Sequence, residues 1–350
     1  MSSAGDRYRG AMERARQQAV PDLDALVAFC RHAEDCGIES LLTAVGFHRP
    51  DPIALASALG MLTTRIKFMV AARSGLMAPT TFVQQVNTVA ALTNGRICLN
   101  IVAGHTPAEQ AAYGDFLSHD ERYARTDEFL AICNALWRSD EPVTYAGRHF
   151  RVENAKLNLR FTDPNRNGPE IFIGGASSQA VDLAVRHGHC LWVLPEETEK
   201  LRRHIAPLLD AGVEAGLMLT IHVRQTREEA LQSACEMIEH LGAKAVENHE
   251  KFEKRSDSVA WRSTYELARS DSQWLTDALW TGAVPYMGAP AIALLGSPEE
   301  VAAAILDYKA MGISQFLFLG WPDTEAMSIF TRDVLPIIRR KEAESKGTAA

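Results

Sequence analysis

"AEDCGIESLLTAV" (residues 33–45), "AVRHGHCLWVLP" (184–195) and "YKAMGISQFLFLGW" (308–321) share one grammar. Each closes a helical pattern and sets a glycine (Gly37, Gly188, Gly312) where a chain leaving a helix turns left-handed, then enters a short apolar run. That is the joint between helix and strand in a repeated βα unit. Four further apolar runs, "IKFMVAA", "ICLNIVAG", "EIFIGGA" and "LTIHV", are each followed by polar residues and a new helical pattern. Together these runs predict strands near 40–45, 66–72, 97–103, 170–175, 189–194, 217–223 and 314–320. Buried strands alternating with helices, without a β-meander, predict a parallel sheet. At 350 residues the α/β class then points to a (β/α)8 TIM barrel, with an open doubly wound sheet as the alternative.

Two stretches interrupt the alternation. "VTYAGRHFRV" reads as a hairpin about Ala146-Gly147 and runs into the loop "FTDPNRNGPE", an insertion near 140–169. The second, 243–290, holds the charged pattern "AVENHEKFEKR" and then "WTGAVPYMGAPA", and is a candidate lid. Ser297 and Pro298 then start a helix as cap and first residue. The chain reads as a single domain over 1–340 with a disordered tail at 341–350.

With 47% hydrophobic and 23% charged residues the chain can bury a large core, and its net charge of -8 argues against nucleic acid as a principal partner. No apolar run approaches the roughly 18 residues of a membrane span, and "MSSAGDRYRGAMERARQQAV" lacks a signal-peptide core. A cytoplasmic protein is expected. The cysteines form no CxxC and lie in apolar segments, so reduced buried thiols are expected, with neither disulfides nor a metal site.

Chemistry concentrates in two places. In "LSHDERYARTDEFL" (117–130), Ser118 and Glu121 form a capping box, Glu121 and Arg125 are spaced to pair, and Phe129, Leu130 and Ile132 supply a buried stripe. His119 and Tyr123 are left over, four apart and so on one face. "EIFIGGASSQAVDLA" (170–184) runs from strand through Gly174, Gly175, Ser177 and Ser178 into a helix, which suits an anion at the helix start. The competing reading is a tight turn with a serine cap. Neither the Walker pattern nor a full GxGxxG is present.

In this order and combination, "HDERY", "AGRHFRV", "GASSQ" and "LGWP" resemble the bacterial luciferase-like flavin monooxygenases, nearest in kind to alkanesulfonate and long-chain alkane monooxygenases, over about Asp24 to Pro336. The resemblance implies a (β/α)8 barrel that takes reduced FMN from a separate NAD(P)H-dependent flavin reductase and uses molecular oxygen to oxygenate a small-molecule substrate. It places His119, Tyr123, Gly175, Ser177 and Ser178 at the FMN phosphate, and Ser74, Asn100 and Val102 by the flavin. Met218 and Thr220 stand where the alkanesulfonate enzymes carry an arginine and a histidine, Met287 where their lid carries an arginine, and Trp321 where they end on a tyrosine. A pocket of Phe47, Met218, Thr220, Met287 and Trp321 implies a largely apolar substrate, with His48, Arg49 and His105 as catalytic candidates and His48 foremost. The family's first strand would precede "GDRYR", so the barrel is expected to lack or truncate it, and a homodimer or larger homo-oligomer would cover the open edge. Two alternatives stand beside this reading: a deazaflavin-dependent hydride-transfer oxidoreductase on the same fold, and a non-catalytic flavin-binding protein.

Overall fold

Asp22 accepts a hydrogen bond from the Ala25 amide at 3.0 Å and so starts α1 (Leu23–Asp35). Gly37, at φ +69°, turns the chain out of that helix into β1 (Ser40–Thr43), as the sequence predicts. The computed structural model describes residues 21–46, 49–321 and 323–348. Phe47, His48 and the stretch on which the expected loss of a first strand turns lie outside the described residues. The chain divides into two units, Pro21–Leu191 and Trp192 onward.

In the first unit the alternation continues through α2 (Pro52–Met61), β2 (Lys67–Ala72), α3 (Pro79–Thr93), β3 (Ile97–Val102), α4 (Pro107–Ala112) and α5 (His119–Arg138). The antiparallel hairpin β4 (Val143–Ala146) and β5 (Arg151–Ala155) follows, then β6 (Ile171–Gly174) and α6 (Ser178–His187). Strands β1, β2, β3 and β6 pair in parallel in that order, with Thr43 opposite Val70, Ala72 opposite Ile101 and Val102 opposite Gly174. The loops after these four strands therefore leave from one edge of the sheet. Burial on both faces explains the unbroken apolar runs, since Phe68, Val70 and Leu99 are each 0% exposed.

Gly188 corrects the prediction made for it. Its φ is −87°, not left-handed. A Cβ there would stand 3.0 Å from the Ala184 carbonyl oxygen and 3.1 Å from Ile173 Cγ1, so close packing is what excludes a side chain. The hairpin is gripped from α5: the Glu128 carboxylate accepts the amides of Arg148, His149 and Phe150 at 2.9, 2.8 and 3.0 Å.

After β7 (Cys190–Val193), the second unit runs through α7 (Thr198–Asp210), β8 (Glu214–Val223), α8 (Arg227–Glu239), α9 (Gly242–Arg255), α10 (Val259–Leu267), β9 (Leu279–Trp280), α11 (Val284–Met287), β10 (Ala293–Gly296), α12 (Pro298–Met311), β11 (Ile313–Gly320), α13 (Asp323–Ile329) and α14 (Leu335–Thr348). β11 runs parallel along β8, and β10 joins β8 over Thr220–Val223. Gly312, at φ +112°, makes the turn from α12 into β11. The 243–290 segment contains α9 and α10. Helix α14 continues into the stretch expected to be a disordered tail, because "RRKEAESK" is rich in strong helix formers. All six cysteines are unpaired with one another, five of them buried. Among the described residues no helix is long and apolar enough to cross a membrane.

Candidate functional site

The turn between β6 and α6 is built for close approach. Ser177 caps α6, its Oγ accepting the Ala180 amide at 3.3 Å. A Cβ on Gly174 would lie 3.1 Å from Val102 Cγ1 and 3.6 Å from Asn100 Oδ1. On Gly175 it would lie 2.7 Å from both the Tyr123 hydroxyl and the Ala180 methyl. Helix α5 thus delivers the Tyr123 phenol onto the backbone of the turn. The His119 ring tilts against it, centroids 4.9 Å apart. His119 Nδ1 lies 2.9 Å from Asp120 Oδ1, and that oxygen accepts from Gln179 Nε2 at 2.9 Å, which ties the starts of α5 and α6 together. Two helix N-termini beside hydroxyls and an imidazole favour an anion. Ser178 is exposed, its Oγ donating to Gln179 Oε1 at 3.2 Å.

The structure therefore brings together His119, Tyr123, Gly175, Ser177 and Ser178, with Asn100 and Val102 on the adjoining strand. Asn100 is 8% exposed and its Oδ1 has no hydrogen-bond partner. An amide oxygen left so costs about 1–3 kcal/mol unless a ligand supplies a donor.

Ser74 is placed otherwise. It is buried, its Oγ 2.8 Å from Thr126 Oγ1 and within 3.4 Å of Arg125 Nε. Arg125 does not pair with Glu121. Its fork closes on the Asp115 carboxylate at 3.1 and 2.5 Å, while Glu121 meets exposed Arg148 at 3.0 Å. Burial raises the Asp115 pKa, but the Arg125 bonds outweigh it and hold the carboxyl below its usual range.

Sequence reasoning missed Arg73, Gln110 and Thr106. Arg73, the first residue after β2, is 4% exposed. Its Nη2 lies 3.2 Å from Glu109 Oε2 and its guanidinium carbon 5.7 Å from the Tyr113 ring centroid, yet Nε and Nη1 have no partner. Gln110 Nε2 and Thr106 Oγ1 are likewise buried and unbonded. The available signal was a charge directly after the all-apolar run "FMVAA". Arg49 is exposed in the loop after β1, and His105 is partly buried in the loop after β3.

In the second unit Thr220 is 1% exposed and donates to the Pro290 carbonyl at 2.9 Å, so its hydroxyl is committed to the fold. Met218 is partly buried. Trp321 belongs to a cluster with Trp280 and Ala283, against which Met287 packs. His222, also missed, is 2% exposed and stands 5.6 Å from the Trp321 ring. Burial, then the charge of Arg224, holds its pKa down to about 3, so its ring is neutral near pH 7. A histidine inside "LTIHV" was its signal. Glu196 anchors α10 to α7: it accepts Ser263 Oγ at 3.1 Å and Lys200 Nζ at 2.8 Å, and meets His204 Nδ1 at 3.1 Å. Among the described residues no group of three or more His, Cys, Asp or Glu is placed to hold a metal ion.

A family model described as luciferase-like monooxygenase matches residues 6–315. Among solved structures, EDTA monooxygenase from Chelativorans sp. BNC1 is 22% identical with a TM-score of 0.78, covering 97% of this chain and 92% of that one. Long-chain alkane monooxygenase is 18% identical with a TM-score of 0.69, covering 97% and 87%. An F420-dependent secondary alcohol dehydrogenase, in complex with an F420-acetone adduct, is 19% identical with a TM-score of 0.65, covering 91% and 95%. At such identities the likeness establishes the fold, of the α/β barrel type expected from the alternation, and not the reaction.

Proposed function

Because the chain belongs to the luciferase-like monooxygenase family, we propose that it is a two-component flavin monooxygenase. It uses reduced FMN from a separate NAD(P)H-dependent flavin reductase, and molecular oxygen, to oxygenate a small organic substrate. The observation that carries this reading is the cradle at Gly175, where a Cβ would strike the Tyr123 hydroxyl at 2.7 Å. Backbone, phenol and two helix starts meet there with no room for a side chain, which suits a phosphate ester lying against the turn.

The residues fit FMN. Tyr123 and Ser178 would donate to the phosphate with the amides of the α6 first turn, and His119 would face it with Nε2, since Nδ1 is held by Asp120. Asn100 Oδ1 would accept from the flavin ring. When bound, the reduced ring supplies the electrons and the site of reaction with oxygen. The chain's own part is to hold the cofactor, orient substrate and exclude water. Asp120, beside His119, opposes a phosphate charge and keeps affinity moderate, as a cofactor exchanged at each turnover requires.

The decisive experiment supplies reduced FMN or reduced deazaflavin under labelled oxygen to the protein with candidate substrates. Label in product with FMN alone supports the proposal. Turnover with deazaflavin alone favours hydride transfer, and flavin binding without turnover favours the non-catalytic alternative. The phosphate assignment is tested separately. Tyr123→Phe is expected to weaken FMN by about 1–3 kcal/mol, the scale of a lost hydrogen bond to a charged group, and to leave riboflavin unchanged. Equal losses for both in a fluorescence titration would overturn it.

A further inference from the structure

Two arginines of the first unit contrast, one half-buried and one buried. Arg96 is satisfied: Nε donates to the Thr93 carbonyl at 3.0 Å, Nη1 to Ile66 at 2.8 Å, and Nη2 to Gly60 and Thr63 at 2.5 and 3.0 Å. Arg73 is more deeply buried in the sense that matters, 4% exposed with only Nη2 engaged, by Glu109. Its Nε carries one hydrogen and Nη1 two, and neither nitrogen has an acceptor. Gln110, next to Glu109 on α4 and 2% exposed, adds an unbonded amide nitrogen, and Thr106 at the start of that helix an unbonded hydroxyl. A fold that satisfies Arg96 from four carbonyls leaves these donors without acceptors, on Arg73 and on the short segment whose Glu109 it pairs with.

We propose that Arg73, Gln110 and Thr106 form a subsite for a carboxylate of the substrate, so that the substrate is an organic acid and not the largely apolar molecule expected from sequence. This rests on the flavin-monooxygenase reading of the same sheet edge. The unbonded groups are overwhelmingly donors, and an oxyanion is the partner that accepts from several at once. Tyr113 lies against the guanidinium at 5.7 Å and Glu109 fixes one end of it, so the group is held in place before any ligand arrives. Position agrees with function. Arg73 follows β2 and Thr106 follows β3, and β2, β3 and β6 are consecutive in the sheet. At about 4.8 Å per strand, the end of β2 stands roughly 10 Å from the Gly174 end of β6, within reach of a substrate lying beside the cofactor held there.

Fluorine NMR of the protein, with and without oxidised FMN, tests the subsite with two acids, difluoroacetate and 4-fluorophenylacetate, and their neutral amides. At least one acid is expected to bind, its amide at least ~tenfold more weakly. Arg73→Gln should weaken the acid by ~tenfold or more with FMN affinity unchanged, and Gln110→Leu by ~threefold or more. Circular dichroism checks that Arg73→Gln is folded; Gln110→Leu keeps the Arg73–Glu109 pair and decides the matter if it is not. Binding of neither acid, amides binding as well as acids, or variants that bind acid normally would overturn the proposal. So would variants that lose FMN but keep the acid, which would assign the donors to the flavin. Acid binding by a protein that takes up no FMN would support the subsite and sink the cofactor reading.

Discussion

Gly175→Ala is expected to lower FMN affinity by about 10- to 100-fold in a folded protein. The added methyl would stand 2.7 Å from the Tyr123 hydroxyl and 2.7 Å from the methyl of Ala180, which is 0% exposed. Ala180 lies in the first turn of α6 and is enclosed, so Tyr123 is the group that gives way. Overpacking of this kind costs about 1–3 kcal/mol, and loss of a donor to a phosphate is of similar size, with each 1.4 kcal/mol a factor of about ten in affinity. Titration of flavin fluorescence measures the loss. Tyr123→Phe removes one of the two colliding atoms and leaves the Ala180 contact, so adding Gly175→Ala to Tyr123→Phe should cost less FMN affinity than adding it to the wild type. An undiminished affinity in Gly175→Ala would mean that the cofactor phosphate does not lie at this turn.

Glu34→Gln should destabilise the protein by roughly 3 kcal/mol at neutral pH, and the loss should depend on pH in a defined window. Glu34 is 8% exposed and its Oε1 accepts the amides of Thr64, Arg65 and Ile66 at 2.8, 2.5 and 3.0 Å. Burial raises its pKa, but the three amides outweigh burial and bring it from 4.5 to about 2. A carboxyl whose folded pKa is depressed contributes fully above its unfolded value and loses that contribution as pH falls through the folded one. Lowering the carboxyl from 4.5 to about 2, at about 1.4 kcal/mol for each tenfold change in proton affinity, corresponds to roughly 3 kcal/mol. In urea unfolding, the gap between wild type and variant should open between pH 2 and 5 and then stay level. A gap of constant size across that window would show that the charge contributes nothing. The turn at stake leads into β2 and so sets the position of Arg73.

The βα grammar was legible because its signals are local. Gly37 and Gly312 take the left-handed turns their positions demand, and Ser118, Ser177 and Ser297 cap the helices they precede. What failed depended on partners distant in sequence. The i,i+4 spacing of Glu121 and Arg125 was correct, but buried Asp115, ten residues back, holds the guanidinium more firmly than an exposed carboxylate can. Gly188 reads like Gly37 until Ile173 is seen beside it. Strands β9 and β10 are too short to show a period inside a glycine- and proline-rich stretch. Periodicity says that the end of β2 is buried; it cannot say that the arginine there lacks acceptors, because that depends on what α4 presents to it.

The grip of Glu128 on the hairpin has a bearing on how freely that insertion can be rewritten. Glu128 takes only main-chain amides, and it sits on the same helix as Tyr123. The tip is thus fastened through atoms that every residue except proline possesses. Phe150 is tied by its side chain as well, its ring 5.8 Å from that of Phe129, and Arg148 by an exposed ion pair with Glu121 at 3.0 Å. Position 148, where only an exposed ion pair of little worth is at stake, can therefore accept another residue, a reporter attachment point for instance, while the helix that carries the phosphate-facing phenol keeps its seat.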